Sequence, residues 1–218
     1  MKDQRVVVIA NGDMKEPAFY RGILEESDYV ICANGGSIHA LTLGVKPHLV
    51  IGDLDSLPAE SREKILKQKP VLIKHPPEKN KSDLELALDH AVSMQPAEIL
   101  ILGALGGARR DHAFINLLLL QIPFRSAIPA RIIDERQEIL LAGKKTVVKG
   151  KPGDLLSLFA LTNQVDGITT VNLKYPLVNE ALHFASTRGL SNELLTSSAQ
   201  VNISSGLLLV IKTNVNQA

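Results

Sequence analysis

The chain has no tryptophan and a single cysteine, and aromatic residues make up only 4% of its 218 positions. One cysteine, Cys32, cannot build an intrachain disulfide framework, so a packed core must hold the fold, as suits a reducing compartment. The net charge of +1 lacks the basic excess of a dedicated nucleic-acid surface. Long apolar runs are missing too. Near the N-terminus only residues 6–10 are continuously apolar, too few for a signal-peptide core or a membrane span. These absences predict a soluble, cytoplasmic protein without nucleic-acid or membrane partners. The histidines (His39, His48, His75, His90, His112 and His183) include no pair at metal-ligand spacing, which argues against a zinc centre. There is no Gly-x-Ser-x-Gly elbow, and Cys32 lies in an apolar run, so neither serine nor cysteine is indicated as a nucleophile.

What is present is an ordinary globular composition, 45% hydrophobic and 22% charged, able to bury a core. Residues 5–10, 29–33, 49–51, 71–73 and 98–102 are short apolar, often β-branched runs. Such runs predict strands buried on both faces, as in a parallel sheet. Helical patterns fall between them, over 21–26, 37–43 and 60–68. The clearest helix opens at Ser82 and Glu85, which form a capping-box pattern, and carries Leu84, Ala87, Leu88 and Ala91 on one face. A further helix is predicted over about 113–120 and a last strand over 131–134. The alternation predicts an α/β domain over residues 1–135, a mostly parallel sheet flanked by helices. Beyond it, short β-branched segments at 155–161, 167–171, 200–204 and 207–213 alternate with turn signals such as Pro152-Gly153-Asp154. They predict a smaller all-β sandwich domain over 136–218.

Three loops at predicted strand ends carry polar chemistry, where ligands bind in open α/β sheets. The first is Asn34-Gly35-Gly36. In the second, Gly52-Asp53-Leu54-Asp55-Ser56, an extended backbone would place Asp53 and Asp55 on one side. Two carboxylates so close repel unless a cation or proton lies between them, and Mg²⁺ takes such oxygen ligands together with substrate phosphates. A plain helix cap by Asp55 or Ser56 is the competing reading. The third, residues 103–112, follows a strand and precedes a helix, the setting in which backbone N–H groups hold phosphate. It is neither a Walker A sequence nor a G-x-G-x-x-G fingerprint. Its Arg109 and Arg110 suit phosphate oxygens, and equally a solvated turn. Asp83 in a first helical turn is favourable through the helix dipole alone, and Lys81 before it reads as a phosphate contact or a solvated loop lysine.

In order and approximate spacing, these motifs resemble those of the thiamine pyrophosphokinase family. The matching stretches are Asn34-Gly35-Gly36, Pro47 to Ser56, Ser82 to Leu88, and Gly106-Gly107-Ala108-Arg109-Arg110-Asp111-His112 with Asn116. In the β portion they are Gly153 to Leu158, Leu173 to Leu177 and Arg188 to Glu193. The resemblance implies transfer of a pyrophosphoryl group from ATP to the hydroxyl of thiamine, giving thiamine diphosphate and AMP. It also implies Mg²⁺ and a homodimer with active sites at the subunit interface. By position, Asp53, Asp55 and Asp83 would organise the metal and the reacting phosphates. Asn34, Gly35, Gly36, Lys81, Gly103, Gly106, Gly107, Arg109, Arg110, Asp111, His112 and Asn116 would hold ATP. Ser191, Asn192 and Tyr175 would contact thiamine. The chain departs from the family pattern at Asn34 and Asn80, where Asp is frequent, and in a glycine loop one residue longer. It also has no tryptophan to stack on thiamine. A pyrophosphokinase for another hydroxymethyl heterocycle, such as a pterin, and a non-catalytic nucleotide- or thiamine-binding homologue are the alternatives.

Overall fold

Valine and isoleucine runs such as Val6-Val7-Val8-Ile9 leave no polar face, and each of these four residues is fully buried. The computed structural model describes residues 4–54, 57–75 and 80–215. The chain divides into two units, Met1–Glu135 and Arg136–Ala218. The first contains β1 (Arg5–Ile9), α1 (Pro17–Ile23), β2 (Tyr29–Ala33), α2 (Gly36–Leu43), β3 (Leu49–Ile51), α3 (Ala59–Lys67) and β4 (Val71–Ile73). It continues with α4 (Asp83–Ser93), β5 (Glu98–Leu102), α5 (Arg110–Leu118), α6 (Gln121–Arg125) and β6 (Ala130–Ile133).

The first unit's strands run in the order β6-β5-β1-β2-β3-β4, and every pairing among them is parallel. Val7, Ile9, Cys32 and Val50 share a core with Tyr20 of α1, Ala40 and Leu43 of α2, and Ile65 of α3. Side chains alternate along a strand, so Val8 and Ile31 point to the other face. There α4 packs against β1, β2 and β3, with Leu84, Ala87, Leu88 and Ala91 buried. The predicted α/β architecture is therefore the observed one. The strand order reverses beside β1, since β2 to β4 extend the sheet on one side and β5 and β6 on the other.

Two helices differ from the periodicity. The segment predicted over 21–26 is helical from Pro17 to Ile23. Proline is favoured at a first helical turn. At the other end the Asp28 carboxylate accepts the Glu25 N–H at 2.8 Å, a local bond that competes with helix continuation. The helix predicted over 113–120 begins at Arg110 and is followed by α6. Proline at the third position of α6 interrupts nothing, because first-turn N–H groups have no intrahelical acceptor.

Helix α1 has no side-chain cap of its own at Glu16. Instead Glu135, 119 residues away, accepts the N–H of Glu16 at 3.0 Å and of Lys15 at 2.7 Å. Partial burial opposes the Glu135 charge, yet these and neighbouring donors outweigh it and hold the carboxyl below its ordinary pKa. A depressed carboxylate pKa contributes stability that is present above the unfolded-state value of about 4.3 and lost as pH falls through the folded-state value. Glu135→Ala is expected to lose about 1 kcal/mol, the usual size of a lost helix cap. Urea unfolding between pH 3 and 7 should show a steeper acid loss for the natural protein than for Glu135→Gln. Parallel curves would contradict this.

The second unit contains β7 (Gln137–Ala142), β8 (Lys145–Lys149), β9 (Leu155–Ala160), β10 (Gln164–Val171), β11 (Glu180–His183), β12 (Asn192–Glu193), β13 (Ser198–Asn202) and β14 (Leu208–Thr213). Among the described residues it has no helix. Its strands form two antiparallel layers, β12-β9-β14-β7 and β11-β10-β13-β8. Leu156, Leu158 and Val210 of one layer share a core with Val148, Ile168 and Val201 of the other. The expected β-sandwich is present. Among the described residues no helix is long and apolar enough to cross a membrane.

Candidate active site

A cleft of about 400 Å³ opens at the carboxyl ends of the parallel strands, beside the point where the strand order reverses. That is where open α/β sheets bind ligands. The loop after β1 contributes Asn11 and Gly12, and the loop after β2 contributes Asn34 and Gly35. Asp83 enters from the start of α4, and the segment after β5 supplies Gly103, Ala104, Gly106, Gly107, Arg109 and His112, with Asn116 of α5; Asp111 does not line the cleft.

The turn after β5 passes through left-handed backbone at Gly103 (φ 62°), Gly106 (φ 82°) and Gly107 (φ 78°), which only glycine adopts without strain. The Asn116 amide donates to the Ala104 carbonyl at 2.7 Å and so ties α5 to this loop. Gly12 donates to the Gly103 carbonyl at 2.6 Å. A side chain at position 12 would overlap the carbonyl oxygens of Gly103 and Leu105. The sequence reading missed the loop after β1. Its signal was available, since Asn11-Gly12 ends β1 much as Asn34-Gly35-Gly36 ends β2.

Asn34 is itself left-handed (φ 41°), and its Nδ2 donates to Asp53 Oδ1 at 3.2 Å. A carboxylate only accepts, so the amide must present nitrogen to Asp53 and oxygen elsewhere. That oxygen is buried and has no hydrogen-bond partner among the described residues, which normally carries a free-energy cost. Strand β3 ends at Ile51, and Gly52 (φ 142°) and Leu54 (φ 60°) follow in positive-φ conformations. The backbone on either side of Asp53 is therefore not extended. The expectation that Asp53 and Asp55 lie on one side depends on the position of Asp55. Asp55 lies outside the described residues.

Ser82 caps α4 as predicted, its hydroxyl accepting the Glu85 N–H at 3.1 Å, and Asp83 follows in the first turn. Lys81 does not line the cleft. Its ammonium lies along α4, 2.6 Å from Asp89 and 3.4 Å from Glu85. Of the two arginines, Arg109 lines the cleft and Arg110 does not. Arg109 forks onto Asp111 with bonds of 2.7 and 3.0 Å, which holds the Asp111 carboxyl well below the usual range. Both side chains are exposed, so the pair is weakly stabilising and readily exchanged. Gly36 is buried at the start of α2. Burial pushes the Cys32 thiol pKa up, consistent with an inert core residue. Among the described residues no group of three His, Cys, Asp or Glu side chains is placed to hold a metal ion.

In the second unit a hollow of about 270 Å³ is lined by Leu158, Tyr175, Arg188, Leu190 and Asn192, among others. Tyr175 is exposed, with the Lys174 ammonium 5.9 Å from its ring centre. The Asn192 amide is occupied. Its Oδ1 accepts the N–H of Tyr175 and Glu193, at 3.0 and 2.9 Å, and its Nδ2 donates to the Tyr175 carbonyl at 2.7 Å. Ser191 is left-handed (φ 54°). Its N–H donates to the Ser157 hydroxyl at 3.0 Å, and it does not line the hollow. A larger hollow beside Phe184 is lined by Leu161, Thr162, Asn163 and Gln164, and offers no titratable group.

Residues 20–132 match the family model described as thiamin pyrophosphokinase, catalytic domain, and residues 144–208 match thiamin pyrophosphokinase, vitamin B1 binding domain. The thiamine pyrophosphokinase of Bacillus subtilis (strain 168) is 31% identical over 208 residues, covering 94% of this chain and 97% of that protein. A crystal structure of thiamine pyrophosphokinase from Bacillus subtilis superposes with a TM-score of 0.88 at 28% identity, over 98% of this chain and 100% of the other. One from Geobacillus thermodenitrificans gives 0.84 at 28% identity, over 97% and 98%.

Proposed function

The chain belongs to the thiamin pyrophosphokinase family, and on that premise we propose that it transfers the pyrophosphoryl group of ATP to the hydroxyl of thiamine, releasing AMP. The observation that carries this reading is the convergence of the Gly103 loop, Asp83 and Asn34, whose amide bonds Asp53 behind it, around one cleft at the strand-order reversal. In the transfer a bond forms between the thiamine hydroxyl oxygen and the β-phosphorus of ATP. The bond from that phosphorus to the α-phosphate oxygen breaks, and the hydroxyl proton passes to a base. Such chemistry needs positioning and charge neutralisation more than covalent help from the protein.

In this reading the glycine turn receives the phosphates, and Arg109 exchanges Asp111 for a phosphate oxygen, a charge-assisted bond of the same fork geometry. Asp53, Asp83 and the orphan Asn34 oxygen are hard oxygen donors of the type Mg²⁺ takes. Together with Asp55 they would hold that ion. When bound, it would supply charge neutralisation on the transferring phosphates. In the second unit, Asn192 would act by fixing the Tyr175 backbone, presenting the phenol ring to thiamine, with Ser191 beside it. The proposed assembly is a homodimer whose active sites lie at the subunit interface.

Incubation with ATP, Mg²⁺ and thiamine should release AMP and thiamine diphosphate in equal amounts. Folded protein that binds ATP and thiamine yet forms no AMP would refute the proposal.

A further inference from the structure

We infer that His39 is a positioning residue for nucleotide, acting through the loop after β1; this rests on the nucleotide reading of the cleft. His39 does not line the cleft. It lies in α2, one turn beyond Gly35, and its Nε2 is 2.8 Å from the Gly12 carbonyl oxygen. A carbonyl oxygen only accepts, so Nε2 carries the hydrogen and donates. Gly12 passes the restraint on through its own N–H, which bonds the Gly103 carbonyl. A side chain at Gly35 would overlap the Asn11 amide, so the loop is also pressed against the start of α2. The two loops that flank the reversal of strand order are thus tied to one imidazole.

Gly12 is partly exposed, and water can replace a lost donor there. Removing the His39 bond should therefore leave the fold nearly intact and release the loop. Loss of placement lowers affinity and transfer even when no substrate contact is removed. Gln carries an amide nitrogen at about the reach of Nε2, whereas Asn is one methylene too short.

The test compares His39→Leu, His39→Asn and His39→Gln with the natural protein. Readouts are steady-state kinetics, calorimetric binding of a non-hydrolysable ATP analogue, and amide exchange at Gly12. The Leu and Asn variants should raise the KM for ATP and the Kd of the analogue about tenfold, the equivalent of one hydrogen bond. Exchange at Gly12 should quicken in both, while the KM for thiamine stays level. Gln should restore most of the affinity. If Leu fails to fold, the smaller polar Asn carries the comparison. Unchanged ATP parameters in the Asn variant would overturn the inference. So would a loss in Gln equal to that in Asn, or a fall in kcat and Tm with the KM for ATP unmoved. If the natural protein does not bind the ATP analogue, the nucleotide reading falls and this inference with it; if it binds and the His39 variants bind equally, only this inference falls.

Discussion

Asp53→Asn should lower AMP formation at least about a hundredfold, the loss of several kcal/mol of transition-state charge stabilisation. The substitution separates charge from shape. Asp53 accepts from the Asn34 amide at 3.2 Å, and an asparagine oxygen would accept the same bond. What disappears is the negative charge beside the orphan Asn34 oxygen. With the hydrogen bond retained and the residue in a turn, stability should stay within about 0.5 kcal/mol. The loss should persist at saturating ATP and be partly offset by raising Mg²⁺, because a weakened ion site is filled by mass action. A variant that keeps half the natural turnover at ordinary Mg²⁺ would remove Asp53 from the proposed ion site.

Gly36→Ala should be the most damaging small substitution in the first unit. The new methyl group would overlap the Ile9 carbonyl oxygen and lie 2.7 Å from the Ile9 carbonyl carbon. Both belong to the backbone at the end of β1, a strand bonded on either side to β2 and β5, so neither neighbour can yield cheaply. Helix α2 would have to lift from the sheet, exposing Ala40 and Leu43 and moving Asn34 and Gly35 at the cleft. A cost of about 4 kcal/mol is expected, at the upper end for single substitutions. The control is Gly22→Ala in α1, where an added methyl meets no atom within 4 Å. There the same change should stabilise by about 0.5–1 kcal/mol through helix propensity. Chemical denaturation of the pair checks both signs, and equal stabilities would show that the close approach at Gly36 is relaxed in solution.

Asn34 illustrates how a departure from a family pattern alters the physics of a site. A carboxylate at that position would face Asp53 and repel it. The amide donates to Asp53 instead and keeps one acceptor oxygen unspent. The Arg109–Asp111 fork has a comparable logic, since a carboxylate holds an exposed arginine in the fork geometry that the proposed phosphate contact would use.

The architecture of both units and the family were legible in the sequence. Continuous apolar runs separated by helical periods specify a parallel sheet covered on both faces, and alternating short runs between turns specify a sandwich. These are local signals, carried by side chains within a few residues of one another. The conformation of the turn after β3 was not legible, because the strand stops at Ile51 and Leu54 takes a positive φ. Nor was the loop after β1 as a wall of the cleft. Its membership depends on β5 returning to pair with β1, which no window of sequence displays. Lys81 drawn along α4, Asn192 spent on the Tyr175 backbone, and Glu135 capping a helix 119 residues away have the same origin. Sequence alone named the polar groups and the strand ends that carry them. Which partners those groups meet was decided by tertiary structure, because hydrogen bonds act over about 3 Å and only the packed sheet brings distant loops that close.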